Sequence, residues 1–444
     1  MAEILVVYSH IRWPPTATVR DSLYAFEKHS KARCWYLHLG VRRVPAWLRR
    51  VPFDAVVFHT TLLWDRVNPP LLERHLRKLN GLSGVGRRRV ALPQDEFLQS
   101  HALVRLIDEL DIDHVFSVSP ESEWDQLYDG VDLSRVGFSR VLTGYLAPDT
   151  LARIEAIVSA GGERPIQIGY RAAQVPPSLG AHGLLKTEIA KRVGEAATAR
   201  GLAVDIATGA TPPFRGDDWF RFLASCRYTI GVEGGASVHD PDGRLEEAVT
   251  RYLADRPDAS FAEIEASCFA GLDGGLRYFA ISPRHLEACA TRTAQVLIEG
   301  SYNGILRPGE HYIELRRDFS NLDAVLDLIV SDSERERLTA AAYRDVVASG
   351  AYTYERLVRE VEAIALAGAP QRAPSRALDA LAWWARVTDR ASWIKVALWV
   401  RVASSLRAFA LRVFPDRVLD RIRGLVAGSA AETAAFQKVD KGGR

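Results

Sequence analysis

Short apolar runs alternate with amphipathic helical patterns twice over in this chain, and that alternation constrains the fold more than any other feature. In the first block Ile4–Tyr8, Cys34–Leu39, Ala55–His59, Arg89–Leu92, His114–Val118 and Val141–Thr143 read as strands. Helical patterns such as Thr18–His29, Pro70–Leu79 and Ser100–Leu110 separate them. Thr18 reads as the cap of the first helix, with Asp21 completing a capping box. A second block starts near Pro165, with strands at Ile166–Tyr170, Ala203–Ala207, Tyr228–Val232, Arg277–Ile281, Gln295–Ile298 and Tyr312–Leu315. Helical patterns at 244–256 and 260–270 are inserted before Arg277. Strands that alternate with helices build parallel sheets covered on both faces. The sequence therefore predicts an α/β protein with two doubly wound, Rossmann-like domains. These are 1–148 and 149–330, joined through the helix 149–162.

Composition narrows the class. An apolar fraction of 48% and a charged fraction of 25% suit ordinary globular domains. A formal net charge of +2 leaves no broad basic footprint, so nucleic acid is not an expected partner. Cys34, Cys226, Cys268 and Cys289 are scattered without CxxC spacing, which predicts free thiols rather than a zinc site or a disulfide framework. The chain enters its first strand at once, with neither a basic n-region nor a long apolar segment. A secretory signal and a spanning helix are not expected, and a cytoplasmic location is.

The densest signal is residues 282–321, SPRHLEACATRTAQVLIEGSYNGILRPGEHYIELRRDFSN. Ser282 caps a short helix and Pro283 takes its favoured first position. Glu287 lies one turn in. A strand, a Gly-punctuated loop and a second short strand follow. This order resembles the nucleotide-sugar half of GT-B glycosyltransferases of the group 1, family-4-like branch. The resemblance implies a GT-B fold of two domains facing a cleft, with 331–367 crossing back onto the first domain. It implies that the Pro-Arg-x-x-Glu-Ala turn and helix hold the donor's ribose and phosphates through Ser282, Arg284 and Glu287. Arg171 and Lys186 are placed like the basic pair that clamps a diphosphate. His311 and Tyr312 resemble a His-Tyr pair near the base or diphosphate. Many relatives carry a second glutamate eight positions before Glu287; here that position is Phe279.

The residues themselves add candidates. In open α/β sheets ligands bind beyond the carboxyl ends of the strands. Glu233-Gly234-Gly235 follows a strand; its glycines permit close approach to a ligand, and its carboxylate is a candidate for the missing one. His10, His59, Asp95 and Glu96 end strands of the first domain and are candidate acceptor bases. Asp240-x-Asp242 reads as a capped turn, so no metal is predicted. A tightly bound cofactor is not predicted either, the nucleotide sugar being the donor substrate.

Beyond a Pro/Ala linker at 368–375, residues 376–425 form a basic tail with Trp383, Trp384, Trp393 and Trp399. Arg390, Arg401, Arg412 and Arg423 recur every eleven residues, close to three helical turns. The pattern predicts two amphipathic helices broken at Pro415 that lie peripherally on an anionic membrane, on its inner face, through 376–423. The expected function is glycosyl transfer from a nucleotide-diphosphate sugar to a glycan or lipid-linked acceptor in surface polysaccharide or glycoconjugate synthesis. A nucleotide-sugar epimerase and a catalytically silent glycan-binding scaffold are the competing readings.

Overall fold

The structure, a computed structural model, describes residues 1–209, 214, 216–373 and 375–413, with side chains through residue 405. The first domain holds six strands: β1 (Glu3–Tyr8), β2 (Arg33–His38), β3 (Ala55–Phe58), β4 (Arg88–Ala91), β5 (His114–Ser117) and β6 (Gly137–Arg140). All neighbours are parallel, in the order β2-β1-β3-β4-β5-β6. β1 and β2 are buried at every position, which is why they read as continuous apolar runs. Their two charges are paired: Arg33 meets Glu3 at 2.6 Å, and Glu3 also accepts from the Trp35 indole at 2.7 Å.

The sixth strand is Gly137–Arg140, one turn earlier than the predicted Val141–Thr143. At the sheet edge its residues are only half-buried, so the sequence carried no apolar run to mark it. The predicted first helix is two, Ala17–Leu23 and Ala25–His29, bent at Tyr24. Its cap is Thr16, not Thr18, and Asp21 is buried, accepting from Thr150 Oγ1 at 2.6 Å rather than closing a capping box.

The second domain has β7 (Ile166–Ala172), β8 (Val204–Thr208), β9 (Cys226–Gly231), β12 (Ala294–Ile298) and β13 (Ile313–Leu315), parallel in the order β13-β12-β9-β7-β8. In both sheets the chain order reverses between the first and third strands. That reversal opens a crevice at the carboxyl ends of those strands.

The predicted strand 277–281 lies outside the main sheet. Its observed core, β11 (Tyr278–Ala280), pairs antiparallel with β10 (Gly234–Ala236). The helices Arg244–Asp255 and Phe261–Cys268 are inserted between them. This excursion docks on the first domain. Ala236, Leu276, Tyr278 and Ala280 join the first domain's core, and Gln99 and His101 donate their N–H groups to the carbonyls of Asp240 and Pro241 at 2.9 and 3.0 Å. The helix Tyr354–Ala365 also packs into that core, through Tyr354, Leu357, Val358 and Val361.

Residues Arg376–Val413 form one helix. Its inner face, with Ala382, Ala385, Asp389, Trp393 and Val396, is buried. Asp389 accepts hydrogen bonds from Tyr8 and Tyr24 at 2.7 and 2.9 Å, and Trp393 stacks over Tyr8 at 6.0 Å. Pro415, Arg423 and the predicted second helix lie outside the described residues, as does the side chain of Arg412. All four cysteines are free, and Cys34, Cys226 and Cys289 are buried.

Candidate active site

The second domain's crevice is an open cleft with a volume of about 230 Å³ at the ends of β7 and β9. Its walls come from Tyr170–Ala173 at the end of β7, Thr229–Val232 and Gly234 around the end of β9, Lys186, Trp219 and the Ser282–His285 turn. Sequence positions more than 100 residues apart therefore meet where the topology requires a ligand to bind. Arg171, Lys186, Gly234, Ser282 and Arg284 all line it.

Lys186 dominates its electrostatics. The side chain rises from the first half of the helix Gly180–Ala199 into the cleft wall. Among the described residues no carboxylate lies within ion-pair distance of its ammonium. Burial lowers its pKa, opposed by Asp95 of the other domain and reinforced by Arg284. A half-buried cation with no carboxylate in contact is suited to bind an anion. Arg284 stands at the start of the helix Pro283–Ala290, its guanidinium over the Trp219 ring at 5.5 Å and bonded to the Arg171 carbonyl.

Arg171 is placed differently from the expected clamp. Its Nη2 donates to both Asp205 carboxylate oxygens at 2.8 Å, and the guanidinium stacks on Phe222 at 4.4 Å. Its charge is already met, so Lys186 and Arg284 remain as the basic pair.

His285 was not singled out in the sequence. It accepts the Ser282 N–H on Nδ1 at 3.1 Å, and burial, with Arg284 beside it, pulls its pKa down to about 3. The neutral ring therefore carries its proton on Nε2, which borders the cleft beside Gly231. A Cβ at Gly231 would stand 3.1 Å from that nitrogen. A histidine three residues after a helix cap was the only available signal. Trp219 was also missed: nothing local distinguishes it from a core tryptophan. Its indole donates to Glu287 at 2.8 Å, and burial raises the Glu287 pKa. Glu287 is half-buried behind Trp219 and the Arg284 turn.

Gly235 has φ +129, and a Cβ there would lie 1.7 Å from the Tyr278 carbonyl oxygen. Gly235→Ala should lower stability by about 1–3 kcal/mol through forced backbone strain, read as a shift in the urea midpoint. A wild-type midpoint would contradict the tight β10–β11 pairing.

Several predicted catalytic residues are taken up by the scaffold. Glu233 is buried; its carboxylate accepts from Tyr302 N at 2.7 Å and from Ser301 N and Oγ at 3.2 and 3.1 Å. It anchors the loop after β12 and does not supply the absent carboxylate. At Phe279 the structure offers an aromatic stack on His182, with centroids 3.8 Å apart. Glu96 is fully buried and accepts from Ser117, Val118, Tyr128 and Tyr278. His59 accepts from Thr61 N on Nδ1 at 3.2 Å and has Ser22 Oγ 3.0 Å from Nε2. Burial pulls its pKa down to about 3, so it is a neutral, fully bonded cap. His10 packs near Trp393, and burial pulls its pKa down to about 4.

His311 and Tyr312 do not line the crevice. His311 accepts from Arg307 N on Nδ1 at 3.1 Å, leaving Nε2 to donate to Asp345 at 3.1 Å. Glu310, His311 and Asp345 cluster within 4.8 Å, but both ring nitrogens are committed and Arg307 and Arg344 pair with the carboxylates. Tyr312 is buried against Tyr302 at 5.3 Å. Asp240 caps the helix Arg244–Asp255, accepting from Leu245 N and Glu246 N at 3.2 and 2.9 Å, and Asp242 pairs with Arg244 at 2.9 Å.

Asp95 is the remaining carboxylate. It has φ +50, a left-handed conformation uncommon for a residue with a side chain. Arg66, itself buried, holds that turn by donating to the carbonyls of Gln94, Asp95 and Leu98 at 2.8, 2.6 and 3.0 Å. Burial raises the Asp95 pKa, opposed by Arg66 and by Lys186 of the other domain.

No protein-family profile matches the sequence, and no curated protein matches it. Structures similar to the chain include Anabaena Alr3699/HepE in complex with UDP-glucose, at 11% identity over 81% of this chain and 99% of that one, with a TM-score of 0.42. AviGT4, a glycosyltransferase involved in avilamycin A biosynthesis, is similar at 13% identity over 83% and 99%, with a TM-score of 0.41. TarM is similar at 10% identity over 71% of this chain and 56% of its own, with a TM-score of 0.36.

Proposed function

We propose that this protein is a glycosyltransferase of GT-B architecture that moves a sugar from a nucleoside-diphosphate sugar to a glycan or lipid-linked acceptor. The observation that carries the reading is the Lys186 ammonium, with no ion-pair contact among the described residues, in the second domain's crevice beside Arg284 and the neutral His285. A diphosphate supplies the anion that this set lacks. Lys186 and Arg284 bind its oxygens, and His285 donates from Nε2. Trp219, fixed by its bond to Glu287, borders the ribose. The acceptor hydroxyl attacks the anomeric carbon while the bond to the diphosphate oxygen breaks. The leaving diphosphate's charge falls on Lys186 and Arg284. Asp95, on the first-domain turn held by Arg66 and within electrostatic reach of Lys186, is the proposed acceptor of the hydroxyl proton.

A thermal-shift panel of UDP, GDP, dTDP, CDP and CMP sugars tests the reading, because a ligand of the folded state raises the melting temperature by mass action. At least one diphosphate sugar should raise it, and the monophosphate CMP sugar should not. Absence of a shift with every diphosphate sugar at millimolar concentration would reject it.

A further inference from the structure

The helix Arg376–Val413 has two apolar faces, and only one is covered. Ala382, Ala385, Trp393 and Val396 are buried against the first domain. Trp383, Val387, Ile394, Leu398 and Val402 fall on another arc, about 100° wide at the helical period. They are 43–61% exposed, and Trp399 beside them is 52% exposed. Single exposed apolar residues are ordinary, but a contiguous stripe that includes exposed tryptophans Trp383, Trp384 and Trp399 marks a binding face.

Charge selects the occupant. Between residues 383 and 405 the charged side chains at the surface are Arg386, Arg390, Lys395 and Arg401, all basic. The acid in this stretch, Asp389, is buried under Tyr8 and Tyr24. An apolar stripe whose exposed charged neighbours over 383–405 are cations matches an anionic bilayer surface, where rings and aliphatic side chains enter the headgroup boundary and Arg and Lys meet lipid phosphates. No helix among the described residues is long and apolar enough to cross a membrane.

We propose that the outer face of this helix docks the protein on an anionic lipid surface, while its inner face holds it to the first domain through Asp389 and Trp393. The proposal is independent of the donor site, which lies in the other domain. The docked face fixes the helix orientation before lipid is met, so binding does not require the helix to fold on the membrane.

Flotation of the full chain with phosphatidylglycerol or phosphatidylcholine vesicles tests it. Binding should appear with phosphatidylglycerol at low salt, fall as salt is raised, and be weak with phosphatidylcholine. Each basic residue near such a surface contributes about fivefold in partitioning. Arg390→Gln, Lys395→Gln and Arg401→Gln together should therefore weaken binding by at least about tenfold after screening. Ile394→Ser, Leu398→Ser and Trp399→Ser together should abolish it, with the melting temperature reporting that the fold is kept. If the serine variant melts early, the charge variant decides, since its side chains are solvent-exposed. Full-length protein that ignores phosphatidylglycerol vesicles at low salt overturns the proposal. So does a sedimentation result in which this face joins two copies and vesicles fail to bind.

Discussion

Lys186→Met should weaken nucleoside-diphosphate binding by roughly ten- to a hundredfold, because a hydrogen bond to a charged group contributes about 1.5–3 kcal/mol. The unliganded protein should lose little or no stability. Among the described residues the ammonium has no ion pair to lose, and methionine keeps the apolar stem. The sign of the pKa shift agrees. Folding lowers the Lys186 pKa, so the charged form is disfavoured in the folded state, at a cost fully present below the folded pKa. Removing the charge removes that cost across the physiological range. Calorimetry with the best nucleotide, paired with urea unfolding, separates the two effects. Unchanged affinity together with lowered stability would make Lys186 a structural residue.

Glu96→Ala should have the opposite profile. The Glu96 carboxylate accepts from Ser117 Oγ and Val118 N at 2.8 Å each, from Tyr128 at 3.3 Å, and from Tyr278. Truncation leaves several buried donors without partners, at about 1–3 kcal/mol for each that water cannot reach. A loss of about 3 kcal/mol or more is expected in the urea midpoint. Tyr278 belongs to the second domain's excursion, so the variant should also loosen the docking of one domain on the other. Nucleotide affinity of the folded fraction should persist, since Glu96 does not border the crevice. A variant with wild-type stability and abolished transfer would restore Glu96 to the catalytic set.

What was legible in the sequence follows from where each signal originates. The parallel sheets were legible because β1, β2 and β12 are buried along their whole length and are built mostly of apolar residues. β6 was misplaced because an edge strand with half-buried residues needs no such run. The crevice was legible because topology and the Ser282-Pro283 cap place it, so Lys186, Ser282 and Arg284 converge there. The roles of Glu96, Glu233 and His59 were not legible. A polar residue after a strand looks the same whether it faces a ligand or ties loops together. Only long-range partners such as Tyr278 for Glu96, Ser301 for Glu233 and Ser22 for His59 distinguish the two. Arg171 shows the same limit, because Asp205 answers its charge from the neighbouring strand β8. The tail's tryptophans were visible, but which of them faces the protein depended on β1 and β2 lying beneath Trp393.

The central claim is that the crevice at the ends of β7 and β9 holds a nucleoside diphosphate. A crystal structure of the protein soaked with the nucleotide giving the largest thermal shift tests it most directly. The account predicts diphosphate oxygens at hydrogen-bond distance from Lys186 Nζ and the Arg284 guanidinium, with the ribose toward Trp219. A nucleotide bound elsewhere, or a diphosphate that leaves Lys186 without a contact, would contradict it.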